Sequence, residues 1–115
     1  MNKAFPMALA ALSLAAALPA AAEASAPALD AEAANTLLTK NGCYRCHAID
    51  RRKIGPAYKA VAAHYKDRPD AEEVLYRHVT TGPTIRIDEH EESHAVIKAP
   101  GEADIRNAIR FILSR

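Results

Sequence analysis

The chain has 115 residues with 15 basic and 14 acidic side chains, and its formal charge of +1 leaves no global electrostatic footprint for nucleic acid or an anionic membrane surface. Half of it is apolar, but alanines near the N-terminus inflate that share, tryptophan is absent and only 2 phenylalanines and 4 tyrosines are present. The composition therefore describes one small domain with few aromatics.

Met1-Asn2-Lys3 gives a short positive start, Ala4 to Leu18 is apolar apart from Pro6 and Ser13, and Pro19-Ala20-Ala21-Ala22 supplies small residues of the signal-peptidase kind. Residues 1–22 read as a secretory signal peptide cut after Ala22, with Ala24 as the alternative point and an uncleaved N-terminal anchor as the competing reading. The apolar run is short for a membrane span, so no span is expected after cleavage. Loss of Lys3 brings the 15 basic residues down to the 14 of the acidic set. What remains, about ninety residues, is one domain whose own core gives marginal stability.

Residues 23–29 are alanine-rich with Pro27 and form a flexible lead-in to a domain over 30–115. Asp30 is placed to cap a helix running to about Asn41, with Glu32 in its first turn and Ala34, Leu37 and Leu38 as its apolar stripe. Gly42 stands just past its end. Cys43-Tyr44-Arg45-Cys46-His47 follows, and C-x-x-C-H is the attachment signature of a c-type haem. Two cysteines three apart on a helical turn present both sulfurs on one side, ready for thioether bonds to the haem edge, and His47 can offer a ring nitrogen to the iron. A structural zinc site wants four ligands, a thioredoxin-like pair wants a βαβ pattern, and a Cys43–Cys46 disulfide leaves His47 unexplained.

Ala48 to Pro56 is a polar loop with Asp50, Arg51, Arg52 and Lys53, closed by Ile54-Gly55-Pro56. The Pro56 carbonyl can accept the other ring N–H of His47, and a proline there also suits a helix start. Ala57 to Lys66 predicts a short helix through Tyr58, Val61, Ala62 and Tyr65. Asp70 with Glu73 reads as a capping box opening a helix to about Thr80 that buries Val74, Leu75 and Val79, ended by Gly82-Pro83. Thr84 to Pro100 is irregular, with a brief alternation at Ile85 and Ile87 before the charged run Asp88 to His94, and its job would be to cover the far face of the haem. Gly101-Glu102 starts a last helix in which Ala103, Ile105, Ala108, Ile109, Ile112 and Leu113 recur at helical spacing. The fold class expected is all-α, four or so helices around one covalently attached haem.

From Asp30 to Arg115 the chain resembles the small monohaem class I cytochromes c of bacteria, the cytochrome c-551/c-552 type. The likeness rests on Leu37-Leu38, Asn41 to His47, Ile54-Gly55-Pro56-Ala57-Tyr58, Thr81-Gly82-Pro83 and the closing helix from Ala103-Asp104-Ile105 to Phe111-Ile112-Leu113. It implies the class I cytochrome c fold with first and last helices crossing, one haem c, Pro56 as the carbonyl partner of His47, and haem attachment outside the cytoplasm, hence the periplasm. One departure matters. Such cytochromes usually supply a methionine as second axial ligand, and here the only methionines are Met1 and Met7, both in the signal segment. A gapless count back from Ala103-Asp104-Ile105 puts His94 in that place, with His90 as the alternative sixth ligand and an open site as the third reading. His64 and His78 fall within predicted helices and read as helix-surface or partly buried residues.

An imidazole in place of a thioether lowers the reduction potential, so the chain reads as a low-potential bis-histidine electron carrier with no catalytic set, passing single electrons between periplasmic redox partner proteins. Arg45, Arg51, Arg52, Lys53 and Lys59 near the attachment site and Asp88, Glu89, Glu91 and Glu92 in the distal loop form a charge dipole for docking, or merely solvated loops. Two alternatives stand beside this: a binder or enzyme for carbon monoxide, nitric oxide or peroxide with an open or displaceable sixth site, and an electron-transfer subunit of a larger periplasmic oxidoreductase.

Overall fold

In chain order the elements are α1 (Ala31–Lys40), a 3-10 turn (Cys43–Arg45), α2 (Tyr58–Tyr65), α3 (Ala71–Thr81), β1 (Thr84–Ile87), β2 (His90–Ser93) and α4 (Glu102–Leu113). The structure, a computed structural model, describes residues 15–20 and 27–115. The cleavage point, most of the signal segment and residues 23–26 of the lead-in lie outside the described residues.

Asp30 caps α1 as its sequence predicts, its carboxylate accepting the Ala33 N–H at 2.9 Å. The same residue fastens α1 to the far end of the chain. Its N–H donates to Asn107 Oδ1 at 3.0 Å and its carbonyl accepts from Asn107 Nδ2 at 2.8 Å. Between the two helices Ala34 and Ala108 are both fully buried, and such small side chains let backbones approach. Leu38 and Ile109 fill the space beside them, making the α1–α4 pair the centre of the core. Ala103, expected on the apolar stripe of α4, is exposed at the first turn, and Phe111 joins the core instead.

Two expectations are corrected. Asp70 precedes α3 but makes no side-chain cap, because its carboxylate is held by Arg68 through Nη2 at 2.8 Å and Nε at 3.0 Å. A two-toothed charged donor two residues away outcompetes a single amide. Glu73 likewise turns away, pairing at 3.2 Å with Arg106 of α4, which also bonds Glu102 at 2.6 Å. The second correction concerns residues 84–93, predicted as irregular. They form an antiparallel hairpin with Ile85 opposite Glu92 and Ile87 opposite His90, turning at Asp88 and Glu89. Asp88 takes the left-handed conformation the turn needs, with φ 51°. Ile85 and Ile87 face inward and are half-buried, whereas β2 is exposed throughout. The fold is therefore four helices with one small two-stranded sheet among the described residues.

After the hairpin the chain returns to the end of α3. His94 N–H donates to the Pro83 carbonyl at 2.9 Å and Ile97 N–H to the Val79 carbonyl at 2.8 Å. Gly82 makes this seat possible: its φ is 60°, and a Cβ there would lie 2.7 Å from the His94 carbonyl oxygen. Gly82→Ala is expected to cost about 1–3 kcal/mol through backbone strain, read as a lower urea midpoint at unchanged slope. An unchanged midpoint would mean that the return segment is seated elsewhere.

Candidate functional site

Gly42 ends α1 in the left-handed conformation, φ 70°, and sends the chain straight into the Cys43–Arg45 turn. The Cys46 and His47 N–H groups both return to the Cys43 carbonyl, at 3.2 and 3.0 Å, so the five-residue motif is one wound turn. The polar loop that follows folds back on it. Gly55 N–H donates to the Cys46 carbonyl at 2.7 Å, and the Tyr58 and Lys59 N–H groups donate to the Ala48 and Ile49 carbonyls, each at 2.9 Å. A Cβ on Gly55 would fall 2.6 Å from His47 Cε1, so glycine lets the loop press against the imidazole edge. His47 Nδ1 meets the Pro56 carbonyl oxygen at 2.7 Å. The ring also stacks on Tyr58, centres 5.1 Å apart and planes 21° apart. Tyr58 itself is buried, its hydroxyl on Cys43.

The motif opens on a cavity of about 740 Å³. Leu75, Val79, Ile85, Ile97 and Ile109 supply much of its apolar wall, and His94 lies on it. A volume of this size is in the range of small-molecule and cofactor sites. His94 is half-buried, with Nδ1 2.8 Å from the Ala95 carbonyl oxygen. A carbonyl only accepts, so in His47 and His94 alike Nδ1 carries the hydrogen, which leaves Nε2 as the ring nitrogen a metal could take. With metal–nitrogen bonds of about 2.0–2.1 Å and ring centres about 1.1 Å behind each nitrogen, two imidazoles on opposite sides of one ion have centres about 6.3 Å apart. The His47 and His94 centres are 6.2 Å apart. An apolar cavity, two sulfurs at its rim and two imidazoles at this spacing fit a haem.

Burial also sets the protonation states that such a group needs. Burial lowers the His47 pKa below the ordinary histidine value, with the Pro56 bond opposing and His94 reinforcing the shift, so the ring is neutral. Burial raises the Cys43 thiol, so it is a poor thiolate, unlike a reactive redox cysteine. The two cysteines form no disulfide.

The structure does not bring every expected residue to the cavity. His90 sits at the start of β2, exposed, with Nε2 4.0 Å from Glu92, and is not part of the cavity wall. His64, exposed, reaches the edge of the cavity, and so does His78, which its sequence context presents as an ordinary helix residue. His78 is half-buried on the cavity wall, its ring centre 4.3 Å from that of His94. The signal was present in the spacing: His78 follows Ala71 by seven and Leu75 by three, which puts it on the buried face of α3. Asn41 supports the distal side from α1, its amide accepting the Lys98 N–H at 2.8 Å and donating to the Lys98 carbonyl at 3.0 Å.

The family model for cytochrome c matches residues 31–115. The chain belongs to the cytochrome c family. Its cofactor is one covalently attached haem c, for which Cys43 to His47 is the attachment motif. Among relatives, this cytochrome is 42% identical over 52 residues to cytochrome c-551 of Pseudomonas aeruginosa, covering 45% of this chain and 50% of that protein. It is 44% identical over 41 residues to cytochrome c-552 of Nitrosomonas europaea, covering 36% and 40% respectively. The chain thus spans about half the length of these curated relatives. Among solved structures, the class 1 cytochrome MtoD of Sideroxydans lithotrophicus ES-1 superposes with a TM-score of 0.71 at 41% identity, over 76% of this chain and 97% of that one. Wild-type Nitrosomonas europaea cytochrome c552 gives 0.57 at 28% identity, over 70% and 96%. These confirm the mainly helical class I architecture. Among the described residues no helix is long and apolar enough to cross a membrane.

Proposed function

We propose that this cytochrome is an exported, periplasmic single-electron carrier whose haem is held by His47 and His94, with a lower potential than methionine-ligated relatives. The single observation that carries this reading is the 6.2 Å spacing of two imidazoles whose Nδ1 atoms are both committed to backbone carbonyls. The haem supplies a one-electron iron couple. Cys43 and Cys46 would anchor it, Pro56 and Tyr58 hold the His47 ring in one orientation, and Leu75, Val79, Ile97 and Ile109 exclude water from the pocket. His94 closes the distal side, which argues against the ligand-binding alternative. Its advantage over His90 is its place on the cavity wall, whereas His90 stands out in solvent.

Arg52 of the loop and Arg86 and Glu92 of the hairpin reach the cavity, with Arg51, Lys53, Glu89 and Glu91 exposed nearby in sequence. This mixed-charge rim favours docking to a redox protein of complementary pattern, whether free or part of a larger oxidoreductase. Spectroelectrochemical titration of the purified holoprotein tests the reading. The expected result is one wave of about 59 mV per decade, as a one-electron couple requires, at a potential below that of a methionine-ligated cytochrome measured alongside. A potential as high as that reference would remove the bis-histidine assignment.

A further inference from the structure

The distal wall holds a second imidazole that the electron-carrier reading does not use. His78 projects from α3 between Leu75 and Val79, both buried on the same cavity wall. Its ring is half-buried and, among the described residues, has no hydrogen-bond partner. An imidazole in that position brings a polar ring to an otherwise apolar stretch of wall, where a leucine would simply fill the space. Its centre lies 4.3 Å from that of His94. That separation is too short for the two rings to stand opposed across one ion, which needs about 6.3 Å between centres. His78 therefore stands beside His94 on the same side of the site, facing the same space.

The two histidines are held differently. His78 belongs to the helix Ala71–Thr81, whereas His94 belongs to the irregular return segment after β2. That segment is fastened to α3 by His94 N–H on Pro83 and Ile97 N–H on Val79, which keeps His94 next to the last turn of the helix. The His94 ring can leave by rearranging one short segment, and the helix holds His78 in place when it does.

We propose that His78 is a reserve distal ligand, taking the sixth position on the iron when His94 leaves it and so keeping the site closed to small molecules. This inference rests on the assignment of His94 as the resident ligand. In the exchange the bond from His94 Nε2 breaks and one from a His78 ring nitrogen forms. One imidazole replaces another, so the iron keeps two imidazoles and its oxidation state does not change.

The test uses exported holoprotein in four forms: wild type, His94→Ala, His78→Leu and the double variant. Electronic absorption and electron paramagnetic resonance of the ferric state are recorded, with carbon monoxide binding to the reduced state. Wild type and His78→Leu are expected to be low-spin. His94→Ala is expected to remain low-spin with an altered resonance spectrum, and the double variant to become high-spin and bind carbon monoxide at once. Free imidazole added to the double variant should restore the low-spin spectrum, which shows that it retains a haem pocket. A high-spin His94→Ala protein that binds carbon monoxide as fast as the double variant would overturn the reserve role while leaving the His94 assignment standing. A high-spin His78→Leu protein would make His78 the resident ligand, and a low-spin double variant would place the ligand elsewhere; either would overturn both assignments.

Discussion

A chain carrying Cys43→Ala and Cys46→Ala, freed of haem, is expected to have no stable fold. The reason is the cavity, which at about 740 Å³ sits in the middle of a domain of this size and is walled by core residues. A closed residual cavity costs about 24 cal/mol per Å³; this one is open to water, but without the haem its apolar walls lose their packing partner in a domain whose whole stability is about 5–15 kcal/mol. On the proposed reading the haem completes the core, and its covalent attachment would keep it there through transient opening. Far-UV circular dichroism and thermal unfolding of the haem-free double variant check this. Broad, non-cooperative melting is the expected result. A cooperative transition resembling that of the holoprotein would show that α1 and α4 suffice alone.

Tyr58→Ala is expected to be the most damaging single substitution on the proximal side. Tyr58 is 3% exposed, and its ring backs His47 at 5.1 Å while its hydroxyl meets Cys43. Truncation removes a buried aromatic ring, for which about 3–5 kcal/mol is usual. It also frees the His47 ring to tilt. Tyr58→Phe separates the two contributions, because it keeps the stacked ring and loses only the hydroxyl, worth about 1 kcal/mol. Urea unfolding of both variants as holoproteins should place alanine far below wild type and phenylalanine close to it. Equal losses would mean that the hydroxyl on Cys43, rather than the ring, carries the effect.

The helical frame and the attachment motif were legible in the sequence because their signals are local. Asp30 capped the helix it preceded, Gly42 ended it in a left-handed turn, and the stripe of Ile105, Ala108, Ile109 and Ile112 is buried as its spacing required. The hairpin was not legible, since its second strand, His90-Glu91-Glu92-Ser93, is exposed along its whole length and so shows no alternation of apolar and polar residues. Its turn at Asp88-Glu89 also lacks the glycine that usually announces one. The capping box at Asp70 failed for a long-range and a short-range reason together: Glu73 is drawn to Arg106 on another helix, and Arg68 takes the Asp70 carboxylate. At the site, His94 was reached by counting from the last helix, while the proximity of His78 depends on how the return segment is seated on α3, which no local pattern encodes.

The most direct test of the account is the spectrum of wild-type holoprotein in the ferric state, extended into the near infrared, followed by reduction and addition of carbon monoxide. A low-spin ferric spectrum lacking the methionine-to-iron band, and a reduced spectrum unchanged by carbon monoxide, is the result predicted for His47 and His94 on the haem. A high-spin spectrum, or rapid formation of a carbon monoxide adduct, would contradict it and identify an open sixth site.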